Sequence, residues 1–227
     1  MSSGIFDIIG PIMVGPSSSH TAGAARIAAV ARQVSGSTPV QVDFYLHGSF
    51  AETYRGHGTD QALVGGILGL SPHNKDLARS MEMARKAGIK TEFHRIDLGD
   101  VHPNTVKIVM RSSDGSQSMV VGSSVGGGAI TIHSVNQVRL EFTGEHPTLL
   151  TLHQDRPGVL ASVTGALAEH NINIAFLKVL RQVRGIEASM VVETDGEISE
   201  VLLDQIRQVP GIRKAHYINI NRDEMRG

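Results

Sequence analysis

Residues 148–174, TLLTLHQDRPGVLASVTGALAEHNINI, decide how the chain is read. Thr148 to Gln154 has the texture of a strand, and Asp155-Arg156-Pro157-Gly158 that of a turn. From Val159 the apolar residues Val159, Val163, Ala166 and Leu167 recur at the spacing of one helical face. Asn171-Ile172-Asn173 ends that helix. Working outward, strands are expected over 174–181 and 186–193, joined by Gln182-Val183-Arg184-Gly185. Thr194-Asp195-Gly196 turns the chain, and 199–208 places Val201, Leu202 and Ile206 at helical spacing. Pro210-Gly211 stops that helix before a last strand over 212–220.

The resulting order is β-α-β-β-α-β in about 75 residues, the ferredoxin-like split βαβ arrangement. The Asp155-Arg156-Pro157-Gly158-Val159-Leu160 turn followed by Asn171-Ile172-Asn173-Ile174 resembles an ACT domain. That resemblance implies a small-amino-acid site between two copies, with Asp155, Gly158, Val159 and Asn171 as candidate contacts. Glycine at 158 lets a ligand carboxylate approach free N–H groups at a helix start. The plainer reading is a helix-start turn in a domain used only for dimerisation or docking. Serine, a monovalent cation and no ligand all stay open for this domain.

Upstream the texture differs. Gly144-Glu145-His146-Pro147 separates a segment dense in Gly and Ser motifs from the regular pattern just described, so domains are expected at 1–143 and 148–222. A length of 227 residues accommodates both, and 41% apolar residues suffice for their cores. The class is α/β in the broad sense, α+β in detail. A net charge of −1, no Trp and only three Tyr leave neither the basic footprint nor the stacking platforms of nucleic-acid binding. No apolar run approaches the roughly 20 residues that span a bilayer. Met-Ser-Ser-Gly opens the chain without a basic stretch, so a cytoplasmic protein is expected. Cysteine is absent, which excludes disulfides, thiolate nucleophiles and cysteine-ligated clusters in this chain.

Four clusters stand out in the first segment. The first is Gly15-Pro16-Ser17-Ser18-Ser19-His20-Thr21-Ala22-Gly23, directly before an alanine-rich helix over 24–34. Ser19 or a neighbour can cap that helix, but three serines, a histidine and a threonine exceed what capping needs. Hydroxyls and N–H groups gathered at a helix start suit a carboxylate or phosphate. The second is Leu46-His47-Gly48-Ser49-Phe50-Ala51 with Gly56-His57-Gly58-Thr59-Asp60, after the alternating strand residues Val40, Val42, Phe44 and Leu46. Thr59 or Asp60 can cap the next helix, and Asp60 can orient an imidazole. Two loop imidazoles beside a hydroxyl-rich anion site fit general acid–base chemistry near neutral pH. The third is Val101-His102-Pro103-Asn104-Thr105, a turn before a strand over 105–111. The fourth is Gly122-Ser123-Ser124-Val125-Gly126-Gly127-Gly128, expected between strands 118–121 and 129–133, with room for a bulge.

Dinucleotide binding fails on spacing, since Gln61 stands where a third glycine is required. A serine-hydrolase elbow fails because 15–19 lacks the final glycine. His73, His94, His146, His153, His170 and His216 show no metal-binding spacing and read as ordinary.

Taken together, GPSSSHTAGAARI, LHGSFAETYRGHGTDQAL, HPNT and VGGGAI resemble the beta region of bacterial iron–sulfur L-serine dehydratases over about the first 140 residues. The ACT-like tail agrees with the two-chain version of that family. The resemblance implies conversion of L-serine to pyruvate and ammonia. It implies an alpha subunit whose cysteines hold a [4Fe–4S] cluster, with no metal ligand in this chain. It also implies catalytic roles for His20 and His57, with His57 favoured as the base. Substrate contacts fall to Ser17, Ser18, Ser19, Thr21, Gly58 and Thr59. Pairing through the ACT domain, the N-terminal domain or both is expected. Two other readings are a purely regulatory serine-binding protein, akin to the allosteric domains of some phosphoglycerate dehydrogenases, and a structural scaffold.

Overall fold

The computed structural model describes residues 17–221, so Gly15-Pro16 of the first motif and the outer ends of both expected domains lie outside it. The described chain opens with Ser17 capping one π-helical turn, Ser18–Ala22, that runs straight into α1 (Gly23–Ser35). Then follow β1 (Pro39–Leu46), α2 (Gly48–Thr53), α3 (Thr59–Leu68) and α4 (Ser80–Lys86). Five strands complete this half: β2 (Lys90–Arg95), β3 (Thr105–Ser112), β4 (Gln117–Gly126), β5 (Ala129–Val135) and β6 (Val138–Phe142). They form one sheet in the order β2-β1-β3-β4-β5-β6, with only the β1–β2 pair parallel.

Alternation in β1 and β3 sends Val42, Phe44, Leu46, Val106, Ile108 and Met110 to one face, where they are fully buried beside Ile27 and Leu63 of the helices. Helix α1 is built largely of alanine on its inner side, which lets it lie close to α3 and to β4. The other sheet face carries Gln41, Asp43, Tyr45, Glu92, His94 and Lys107 in register.

The second half has β7 (Thr148–His153), α5 (Val159–Glu169), β8 (Ile174–Val183), β9 (Glu187–Thr194), α6 (Glu200–Arg207) and β10 (Ile212–Ile218). The sheet order β10-β7-β9-β8 is that of the expected split βαβ fold. Leu149, Met190 and Val192 face α5 and α6, against Val163, Leu167, Leu202 and Ile206.

The opposite face of this sheet is also covered. Leu150, Val191, Ile218 and Ile220 belong to the same buried cluster as Ile132, Leu140 and Phe142 of β5 and β6. Burial on both faces explains why successive residues of β7 and β9 are buried rather than alternate ones. Gln33 of α1 clasps the C-terminal strand: its amide donates to Asn219 O (3.1 Å) and its carbonyl accepts from Asn219 N–H (2.7 Å).

Two expected boundaries move. The glycine–serine run does not separate two strands; β4 continues through Gly126, with register shifts at Val121/Gly122 and Ser124/Gly126. Helix α3 has no hydroxyl or carboxylate cap. Gly58, in the left-handed region, precedes it, Thr59 is fully buried, and Asp60 accepts from the N–H of Gln61.

Candidate functional site

The turn at Ser17–Ala22 is a knot of hydroxyls around one imidazole. Ser17 caps the turn through a 3.4 Å bond from His20 N–H, so Ser17 rather than Ser19 is the cap. Ser17 and Ser19 Oγ lie 3.3 and 3.1 Å from His20 Nδ1, and 3.2 Å from each other. On the far side of the ring, Ser49 Oγ lies 3.1 Å from Nε2. Hydroxyls on both nitrogens hold the ring plane, and Phe50 packs edge-on against it at 5.4 Å.

His57 lies beside it. The two imidazole centroids are 4.9 Å apart at an interplanar angle of 34°. His57 Nδ1 is 3.4 Å from Thr53 O, and a carbonyl can only accept, so Nδ1 is the donor of that contact. Thr21, nearly fully buried, donates its hydroxyl to His57 O at 3.3 Å. Its role is thus to hold the His57 backbone. Burial lowers the His20 pKa below its ordinary value, and the neighbouring His57 lowers it further. Neutral imidazole is therefore the resting form of His20 near pH 7.

The third and fourth clusters close on the first two. Gly48 sits at φ +53°, and a Cβ there would meet Pro103 O at 2.7 Å. Only glycine lets the 102–105 turn approach so closely. Ser124 N–H donates to Asn104 O (3.0 Å), and a side chain on Gly23 would overlap the Ser124 hydroxyl. Thr105 Oγ1 lies 2.6 Å from Ser123 Oγ, which lies 2.7 Å from His133 Nε2. Four stretches spread over more than a hundred residues thus share one locality. Thr59 Oγ1, Asn104 Oδ1 and Ser124 Oγ are buried there without a hydrogen-bond partner among the described residues.

Some expected residues stand apart. Thr59 and Thr21 are too buried to present hydroxyls to a solvent-borne ligand. Asp60 bonds Gln61 rather than an imidazole. One serine after a strand, as Ser49 is, carries no signal alone; only the fold brings it 29 residues back onto His20.

In the second half, Asp155, Pro157, Gly158, Arg181 and Arg184 line a surface hollow. Gly158 is exposed, and a Cβ there would meet nothing. Asp155 is already engaged, accepting from Gly185 N–H (2.7 Å) and pairing with Arg181 (2.8 Å). The first of these holds the Asp155 pKa below its ordinary value. Val159 is buried in the core side of α5. Asn171 follows the end of α5 at φ +54°, and the 11-residue helix, about 16 Å long, stands between it and Gly158, so one chain does not unite it with the hollow.

An imidazole pair in a hydroxyl-rich helix start, joined to a split βαβ module, defines a small-molecule-handling protein with an appended ACT domain. Residues 4–95 match the family described as serine dehydratase beta chain, and residues 148–211 match the ACT domain. The chain is 43% identical to the probable L-serine dehydratase beta chain of Bacillus subtilis over 92% of its own length and 94% of that protein. It is also 43% identical to the L-serine dehydratase beta chain of Peptoniphilus asaccharolyticus, over 95% and 97%. A D-3-phosphoglycerate dehydrogenase of Synechocystis matches at 30% over 44% of this chain and 18% of that one. The chain belongs to the family of L-serine dehydratase beta chains. Among the described residues no helix is long and apolar enough to cross a membrane.

Proposed function

We propose that this chain is the proton-handling half of an L-serine dehydratase, releasing pyruvate and ammonia from L-serine when paired with an alpha chain. The observation that carries the proposal is the 4.9 Å pairing of His20 and His57 inside the hydroxyl knot. Removing the α-proton and the β-hydroxyl as water leaves an enamine, which tautomerises and hydrolyses to the products. His57 is the base, with Nδ1 turned to Thr53 O and Nε2 left to take the proton. His20, held between hydroxyls, keeps a net neutral partner beside it, so a proton gained by His57 meets no fixed positive charge. Ser17, Ser18 and Ser19, with the N–H groups of the turn, hold the substrate carboxylate and amine. A Cβ at Gly58, next to His57, would meet only Gln61 Oε1, at 3.8 Å.

A [4Fe–4S] cluster requires thiolates, and with no cysteine the residues present do not fit one. The cluster, and with it the Lewis acid that the leaving hydroxyl needs, is assigned to the alpha chain. The proposal keeps two functional units, 1–143 and 148–222, the second for self-association and for regulation through the Gly158 hollow. Edge strand β8, with Phe176, Val179 and Val183 exposed, supports pairing there.

Anaerobic coexpression with the cysteine-bearing alpha chain, assayed for pyruvate from L-serine, tests the proposal. Neither chain alone should turn over. A His57→Ala complex with near-wild-type turnover would overturn the assignment and favour the regulatory reading, in which serine binds this chain alone.

A further inference from the structure

The face of the N-terminal sheet opposite the helices carries a second cluster, unconnected with the imidazole pair. Parallel pairing of β1 and β2 sets Asp43 beside Glu92 and Tyr45 beside His94, all on that face. His94 Nε2 lies 3.7 Å from Asp43 Oδ1 and 3.7 Å from Glu92 Oε2, and one donor atom from each residue falls within 4.8 Å of the others. We propose that Asp43, Glu92 and His94 bind one divalent transition-metal ion of the zinc type.

Geometry supports this first. Donors about 2.0–2.1 Å from a tetrahedral ion stand about 3.4 Å apart, so the two 3.7 Å separations close slightly and the carboxylate–carboxylate separation, within 4.8 Å, closes further. The donors come from adjacent, hydrogen-bonded strands, which fixes their spacing better than a loop would. Charge supports it next. The Asp43 side chain is only 7% exposed, and its direct donor is the neutral amide of Gln41, at 3.1 and 3.2 Å. Besides that amide, His94 and Lys90 face the carboxylate, and a dication held between Asp43, Glu92 and His94 would compensate its charge more directly. Lys90 holds the other oxygen of Glu92 at 2.7 Å and leaves Oε2 available.

The surroundings also orient each donor as outer-shell groups do in metal sites. Gln41 fixes the Asp43 carboxylate, Lys90 fixes Glu92, and the Tyr45 ring stacks on His94 at 4.8 Å. A mixed nitrogen–oxygen set selects zinc-like ions over calcium or magnesium. Three protein donors leave at least one position for water or an incoming carboxylate.

The full chain, stripped with chelator, should be titrated with Zn2+ against a chromophoric competitor. Wild type should bind one equivalent more than His94→Phe, which keeps the ring stack and removes the donor. Gln41→Ala should weaken that same equivalent about 10-fold. Other histidines bind Zn2+ equally in all variants, so the difference isolates the site. Equal stoichiometry and affinity in wild type and His94→Phe would overturn the proposal, leaving a protonated His94 as the counter-charge of the two carboxylates. Because His94 is 38% exposed, its variant reads out even if Asp43→Asn fails to fold.

Discussion

The turns that start α1 and α5 are made from similar material and are put to different use. Each places small and polar residues before an apolar helix, and each leaves N–H groups free at the helix start. Around the α1 turn the fold adds partners from far along the chain: Ser49 on the imidazole, His57 beside it, Ser124 behind Gly23. Around the α5 turn it adds Arg181 and Gly185, and these consume the carboxylate that the sequence offers. The difference teaches that a helix start becomes a reactive site only when the tertiary partners are themselves uncommitted. Neutral hydroxyls and imidazoles leave proton-transfer capacity; a completed ion pair does not.

The largest effect expected from breaking this comparison is on turnover. His57→Ala in the alpha–beta complex should lower kcat by about 10²–10⁴-fold, the usual contribution of a positioned base. Substitutions in the 155–158 turn should leave basal kcat near wild type, and a pyruvate assay separates the two. Next come the glycines. Gly158→Ala should cost about 1 kcal/mol of left-handed strain, since its Cβ meets open space. Gly48→Ala should cost about 1–3 kcal/mol more, because Pro103 is in the way, as denaturant melts would show.

Ser49→Ala should reduce kcat/KM by up to about 10-fold, the value of one modest hydrogen bond, with rescue by Ser49→Thr. Failure of threonine to rescue would mean that Ser49 only fills space. The smallest effect is on the pH dependence of stability. The folded His20 pKa lies below its unfolded value of 6.5, so the unfolded chain takes up the proton first. The stabilisation is complete above pH 6.5 and is lost as pH falls toward the lower folded value. His20→Gln should therefore flatten part of the acid-side loss of stability measured by melts between neutral and mildly acidic pH.

Much of the second half was legible residue by residue. The periodicity of Val159, Val163, Ala166 and Leu167 marked α5, and Pro210-Gly211 marked the end of α6, because local spacing and turn chemistry act within a few residues. The glycine–serine run misled as a break between strands: a strand whose inner face touches α1 closely needs small residues, and these resemble a loop in sequence. The contact between the two sheets was invisible at 144–147, since Leu150 and Val191 look like ordinary strand residues until β5 and β6 cover them.

The same division applies to the two helix starts. Sequence by itself determined the residue chemistry: His20 and His57 in long specific motifs, serines in excess of capping, a glycine before α5, and no cysteine for a cluster. Only the tertiary structure decided which groups are free to react. It buried Thr21 and Thr59, spent Asp155 on Arg181, and brought Ser49 to His20. The reason is physical: residue type sets what a side chain can donate or accept, whereas long-range packing sets which partner reaches it first and how much water remains.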